Sequence, residues 1–140
     1  MADLLDGLAR HLAAQNLLTY ETAGTGGDTF LESMPDAPDE AVALTLYEAL
    51  EPDSKLGYDE PRLQVRCRGT RDRRVSRQRC QDIYNELEGL CDTELPDGTV
   101  LISCFALQGG PVSLGIDAKG RHEHVTNYQL EVRSLTKHRV

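Results

Sequence analysis

The chain has no tryptophan, few aromatic residues and only four cysteines. Its core is therefore expected to be aliphatic. The cysteines stand at positions 67, 80, 91 and 104, with no Cys-x-x-Cys pair and no histidine at zinc-ligand spacing. All four fall within apolar patterns, which predicts reduced core thiols in a protein made inside the cell.

Long apolar runs are also missing, so the sequence predicts no membrane span. The apolar residues of the first segment are interrupted by Asp6 and Arg10, which argues against a signal peptide.

Catalytic signatures such as Gly-x-Ser-x-Gly, a phosphate loop or His-Glu-x-x-His are absent. Gly24-Thr25-Gly26-Gly27 resembles a phosphate cradle only superficially, because it follows no clear strand, and a connector is favoured. His122-Glu123-His124 would place two imidazoles on one strand face, but the spacing supplies no third metal ligand. We therefore expect no enzyme, no cofactor and no metal.

Positive charge is scarce and concentrated. The chain has 15 Lys plus Arg against 23 Asp plus Glu, for a net charge of -8, and eight arginines fall between positions 62 and 79. A net negative protein is a poor general coat for nucleic acid, yet it can carry a local basic patch. The partners that such a patch fits are nucleic acid, an acidic protein surface or a neighbouring copy of the chain.

Hydrophobic periodicity predicts a single α+β domain over residues 1–140, with two helices packed on one face of a mainly antiparallel sheet of four to five strands. The helices are expected at residues 3–17 and 71–91, the second capped by Thr70. Strands are expected at 29–32, 41–48 and 63–68, from 100 onward, and at 122–132. Residues 51–60 and 108–121 are predicted to be exposed loops.

The second predicted helix is charged against its own dipole, since arginines occupy its first two turns and acidic residues gather at its far end. A solvated face would tolerate this arrangement. The functional alternative is a head-to-tail ring in which the basic half of one subunit meets the acidic half of the next. The predicted interface residues are Arg66, Arg68, Arg71, Arg74, Arg77, Glu86 and Glu88.

Several short segments occur in an order that points to a known family. They are Met34-Pro35-Asp36-Ala37-Pro38, Leu63-Gln64-Val65-Arg66-Cys67-Arg68-Gly69, Leu107-Gln108-Gly109-Gly110-Pro111, Gly115-Ile116-Asp117-Ala118-Lys119-Gly120-Arg121 and Asn127-Tyr128. Their order and spacing resemble those of the minor capsid or tail-terminator proteins of long-tailed bacteriophages, and the likeness runs from the first predicted helix to the last predicted strand.

The resemblance implies a small α+β protein without catalytic residues that forms a homo-hexameric ring. Such a ring stops growth of the tail tube and joins the tail to the head connector, so the partners would be the tube protein and connector proteins. DNA would pass through the lumen. The expected location is the head–tail junction of the virion, after assembly in the host cytoplasm.

The exposed loops are the expected contacts to tube or connector, because loops on a rigid sheet adapt on docking. Their predicted contact residues are Asp53, Lys55, Tyr58, Gly109, Gly110, Asp117, Lys119 and Arg121. The alternative function is a small nucleic-acid-binding module that places the arginines of the basic patch on phosphates. No stacking aromatics accompany those arginines in the sequence, which disfavours this alternative.

Overall fold

The computed structural model of the chain describes residues 3–23 and 26–140. Within them lie two helices, α1 (Leu4–Ala14) and α2 (Arg73–Leu87). The eight strands of the described chain are β1 (Thr29–Leu31), β2 (Ala41–Tyr47), β3 (Tyr58–Asp59), β4 (Arg62–Arg68), β5 (Cys91–Glu94), β6 (Val100–Ala106), β7 (Val112–Ile116) and β8 (His122–Arg133).

All eight strands join one sheet with the order β1-β2-β4-β8-β6-β5. Only the β1–β2 pair is parallel among the described strands, so the sheet is mainly antiparallel as predicted. The long β8 is its centre: β4 and then β3 pair along one side, and β7 and then β6 along the other. A single strand thus connects the two ends of the molecule.

Both helices pack on the same face of this sheet. The strand register aligns Leu44, Val65 and Thr126 across β2, β4 and β8, which defines the covered face. The buried stripes of α1 and α2 join that face in one aliphatic cluster around Tyr128. A side chain at Gly69 would come within 2.8 Å of the Ser76 backbone nitrogen, so this glycine permits the close approach of β4 and α2.

The helix ends differ from the sequence expectation. Asp72, not Thr70, caps α2, and its carboxylate accepts a hydrogen bond from the Arg74 backbone nitrogen at 3.0 Å. The helix ends at Leu87, because Gly89 adopts a left-handed backbone conformation (φ +83) that turns the chain into β5. Helix α1 is likewise shorter than predicted and ends at Ala14.

The sheet is larger than the predicted four to five strands. Strands β3, β5 and β7 were expected to be loop or helix end, and each pairs on one side only. Strands β3 and β5 are short and mostly exposed, so neither carries an alternating apolar face. The apolar residues of β7 do alternate, but Gly109-Gly110-Pro111 before it favoured a loop. The predicted loops 51–60 and 108–121 therefore contain β3 and β7.

All four cysteines carry free thiols, and three of them are buried. Cys91 is the exception: it opens β5 and is exposed, so the prediction of a core position was wrong there. Neither of the helices within residues 3–23 and 26–140 is long and apolar enough to cross a membrane. Gly24 and Thr25 of the glycine-rich connector lie outside the described residues.

Candidate functional site

A buried arginine on β4 holds the proline-rich segment that precedes β2. The Arg68 guanidinium donates hydrogen bonds to the carbonyl oxygens of Pro35 and Pro38, both at 2.7 Å, and of Asp39 at 3.0 Å. Only 5% of Arg68 is exposed. Arg68 was predicted to be an interface residue, but in the structure residues 34–39 cover it.

A second buried arginine binds the same segment from the β7–β8 turn. Arg121 contacts the Asp117 carboxylate at 2.7 Å, the Asp36 carbonyl oxygen at 2.7 Å and the Asp39 carboxylate at 3.0 Å. It is 6% exposed, although it was predicted to be an exposed contact residue. Neither guanidinium is available to a partner in this conformation.

We call Arg68, Arg121 and residues 34–39 the arginine clamp. It joins three of the segments that carry the family resemblance, which are far apart in sequence. Lys119 also binds the Asp36 carboxylate. Hydrogen bonding from Lys119, with a further contribution from Arg121, holds the pKa of Asp36 below its ordinary value. The family-like segments therefore meet in a structural contact.

The arginines at the start of α2 are arranged differently. Arg71, Arg73, Arg74 and Arg77 are exposed, and the side chain of Arg74 retains 78% of its accessible surface. Arg74 binds the cap residue Asp72 through its side chain, and these hydrogen bonds lower the pKa of Asp72 to about 2. The basic end of α2 is thus a solvent-facing surface of fixed positive charge.

Two other arginines between positions 62 and 79 form ion pairs within the chain. Arg66 is 38% exposed in its side chain and forms an ion pair with Glu123 at 2.8 Å on the face of the sheet opposite the helices. Arg79 is partly buried and binds the Asp28 carboxylate at 2.7 Å. Asp28 also accepts a hydrogen bond from the Thr19 backbone nitrogen, so this ion pair fixes α2 against the strand that follows the connector.

The acidic residues predicted at the other end of α2 already have partners within the chain. The Glu86 carboxylate lies 2.8 Å from the His11 ring and links α2 to α1. Glu88 is exposed, and its carboxylate accepts a hydrogen bond from the Ala106 backbone nitrogen at 2.9 Å. The two acidic residues therefore help to position helices and strands.

The predicted contact loops lie at opposite ends of β8, so the structure does not bring them together. Asp53 accepts hydrogen bonds from the backbone nitrogens of Lys55 and Leu56, and Tyr58 belongs to β3, which pairs with the end of β8. Gly109, Gly110, Asp117 and Lys119 flank β7, which pairs with the start of β8.

His124, one of the two imidazoles considered above as metal ligands, pairs with a serine that the sequence did not indicate. Ser76 Oγ lies 2.7 Å from His124 Nδ1, at the contact between α2 and β8. Both residues are buried, and burial, aided by Arg77, lowers the pKa of His124. The neutral imidazole and the buried hydroxyl therefore satisfy each other's hydrogen bonding in the core. Because both are buried, a substrate cannot reach them. Residues 3–23 and 26–140 contain no group of three or more His, Cys, Asp or Glu that could hold a metal ion.

The geometry thus offers a structural clamp and an exposed basic surface. Comparison with known families gives these features a setting: the family model for the bacteriophage tail terminator protein matches residues 11–133. The chain belongs to this family. No curated protein matches it.

Membership makes the chain a structural component of the phage virion tail that interacts with other tail and head proteins. The family is structural, and nothing in the described residues shows catalytic activity. The family match confirms the resemblance drawn from the sequence.

Proposed function

We propose that this tail terminator forms a homo-hexameric ring that caps the tail tube and joins it to the head connector. The observation that carries the proposal is the exposed cluster Arg71, Arg73, Arg74 and Arg77 on a chain of net charge -8. A localised positive surface on an acidic protein favours one orientation of a negatively charged partner. Membership of the tail terminator family supports tail and head proteins as partners of this surface, and the ring would add a neighbouring subunit.

The rigidity of the surface supports the same role. Helix α2 is fixed to β8 through Ser76 and His124, and to the preceding chain through Arg79 and Asp28. Side chains on a fixed helix lose less entropy on docking than side chains on a mobile loop. The proposed contact residues are Arg66, Arg71, Arg74, Arg77, Glu88, Asp53, Lys55, Tyr58, Gly109, Gly110, Asp117 and Lys119.

Capping can be tested with purified tail tube protein of the same phage. Tubes are allowed to polymerise with and without the wild-type chain, and their lengths are measured by electron microscopy. We expect shorter tubes with an extra ring of density at one end. Unchanged tube lengths and bare ends would refute the capping function.

A second function, phosphate binding in the ring lumen, is favoured by the same four exposed arginines. Contact with DNA would release counterions, so binding should weaken steeply as salt rises. A gel shift with duplex DNA at low and physiological ionic strength measures this. If Arg74→Glu and Arg77→Glu abolish the binding, these arginines contact DNA. If duplex DNA shows no shift even at low salt, phosphate binding is refuted.

A further inference from the structure

Strand β7 is an edge strand with an unusual surface. Its apolar side chains Val112, Leu114 and Ile116 are 45%, 53% and 62% exposed. Among the described residues, no strand pairs with its outer edge. Edge strands are usually protected by charge, proline, a short length or a bulge. Strand β7 is short and irregular between Ser113 and Gly115, but it contains no charged residue and no proline. Three exposed apolar side chains on such an edge are typical of a contact surface.

A groove of about 780 Å³ lies at the other end of the sheet. Its apolar lining includes Leu4, Leu46, Leu50, Val100 and Leu135. Leu50 and Leu135 remain 45% and 63% exposed there. The groove therefore presents apolar surface that residues 3–23 and 26–140 leave exposed.

The edge and the groove lie at opposite ends of β8. Strand β7 pairs with residues 122–125, whereas the groove is lined by residues 132–135. Ten residues of extended strand separate His122 from Val132, a distance of roughly 33 Å. Two different surfaces at opposite ends of one chain form a heterologous contact, which closes into a ring when the rotation allows.

Charge distinguishes the same two ends. Residues 70–79, whose Arg71 lies beside Gly120 of the β7–β8 turn, carry five arginines and one aspartate. Residues 48–60, which supply one wall of the groove, carry five carboxylates and one lysine. Arg62 and Arg139 pair with Glu48 and Asp59, and Arg133 also lines the groove. The acidic character of this wall therefore comes from Glu51, Asp53 and Glu60. A basic end therefore attracts the acidic end of a second copy and repels another basic end.

We infer that the β7 edge of one copy packs into the groove of the next, with Leu114 and Ile116 against Leu50 and Leu135. The occupant is a second copy because one chain carries both apolar surfaces and their opposite charges. This inference rests on the proposed function, because it assumes that the chain forms a ring. It differs from the pairing between halves of α2 expected from the sequence.

The test uses one variant at each surface and a matched control. Leu114→Asp removes the edge contact and Leu50→Asp removes the groove contact. The control Phe105→Asp changes a side chain of similar exposure (50%) on β6, which pairs with Gln129 and belongs to neither surface. Because all three side chains are exposed, thermal unfolding should change little. Ile116→Asp replaces Leu114→Asp if the latter fails to fold.

Light scattering after size exclusion should show a closed oligomer for the wild type and for Phe105→Asp. Either surface variant alone should be monomeric, with its dissociation constant raised at least about 30-fold. An equimolar mixture of the two variants retains one intact junction and should form a heterodimer and nothing larger. That mixture distinguishes a head-to-tail contact from a symmetric one.

The failures of the contact and of the proposed function can be separated. A wild-type oligomer that persists in Leu114→Asp and Ile116→Asp, or in Leu50→Asp, overturns this contact and leaves the ring standing. A wild type that stays monomeric at about 1 mM overturns the contact and the self-assembled ring together. An oligomer that uses this contact but leaves tube lengths unchanged overturns the capping function alone.

Discussion

Two sets of arginines at one end of the molecule have different surroundings. Arg68 and Arg121 are buried and saturated by carbonyl and carboxylate oxygens, whereas Arg73 and Arg77 on α2 are exposed. The same residue type therefore stabilises the fold in one set and leaves charge available to partners in the other. Burial and hydrogen-bond partners, rather than position in the basic block, decide between these roles.

Removing a buried arginine should produce the largest effect. In Arg68→Ala, the carbonyl oxygens of Pro35, Pro38 and Asp39 lose their charged donor, so the free energy of unfolding should fall by about 2–4 kcal/mol. Urea denaturation measures it. Arg77→Ala, at an exposed position, should change it by less than about 0.5 kcal/mol. Equal losses of unfolding free energy in the two variants would contradict the distinction between buried and exposed arginines.

An intermediate effect is expected at Asp28, the partner of the partly buried Arg79. Desolvation raises the pKa of Asp28, but the hydrogen bond from Thr19 and the charge of Arg79 outweigh it and lower the pKa overall. The carboxylate then stabilises the fold above its unfolded pKa, and this stability is lost as the pH falls through the folded pKa.

Asp28→Asn should accordingly lower the free energy of unfolding at neutral pH by about 1–2 kcal/mol. The difference from wild type should shrink below about pH 4, where the wild-type carboxylate also becomes protonated. Denaturation curves at a series of pH values measure both. A difference that is constant down to pH 2 would show that the ionised carboxylate contributes nothing.

The smallest expected change in the free energy of unfolding is an increase. Arg73 opens α2, where the helix dipole disfavours positive charge, so Arg73→Glu should raise the free energy of unfolding by about 0.3–1 kcal/mol at low salt. The neutral control Arg73→Gln should give part of this gain. A loss of stability in Arg73→Glu would mean that the arginine has a structural role within the monomer.

The central fold could be predicted because its residues alternate or repeat at helical spacing. The apolar faces of β2, β4 and β8 and the stripes of α1 and α2 mark the core directly in the sequence. The edge strands β5 and β7 were missed, although the apolar residues of β7 alternate. Their residues are exposed, and β7 adds Gly115 in a left-handed conformation (φ +88) at an irregular pairing with β8.

The candidate site was only partly predictable for a different physical reason. The sequence identifies the concentration of arginines between 62 and 79, but it does not show which of them are buried. Arg68 differs from Arg77 only because residues 34–39 cover it in the folded chain. The clamp depends on contacts between segments more than 80 residues apart, such as Asp36 with Arg121. Local patterns carry no information about such pairings, whereas the family-like segments at 34–38 and 115–121 mark both partners.

The most direct test of the central claim, that the exposed arginines serve assembly, is the tail-length distribution in a phage that lacks this chain. The wild-type chain or Arg73→Glu/Arg77→Glu is supplied during infection, and tails are measured by electron microscopy. The account predicts that the folded double variant leaves tails irregular in length and unjoined to heads. Uniform tails joined to heads at the wild-type frequency would contradict it.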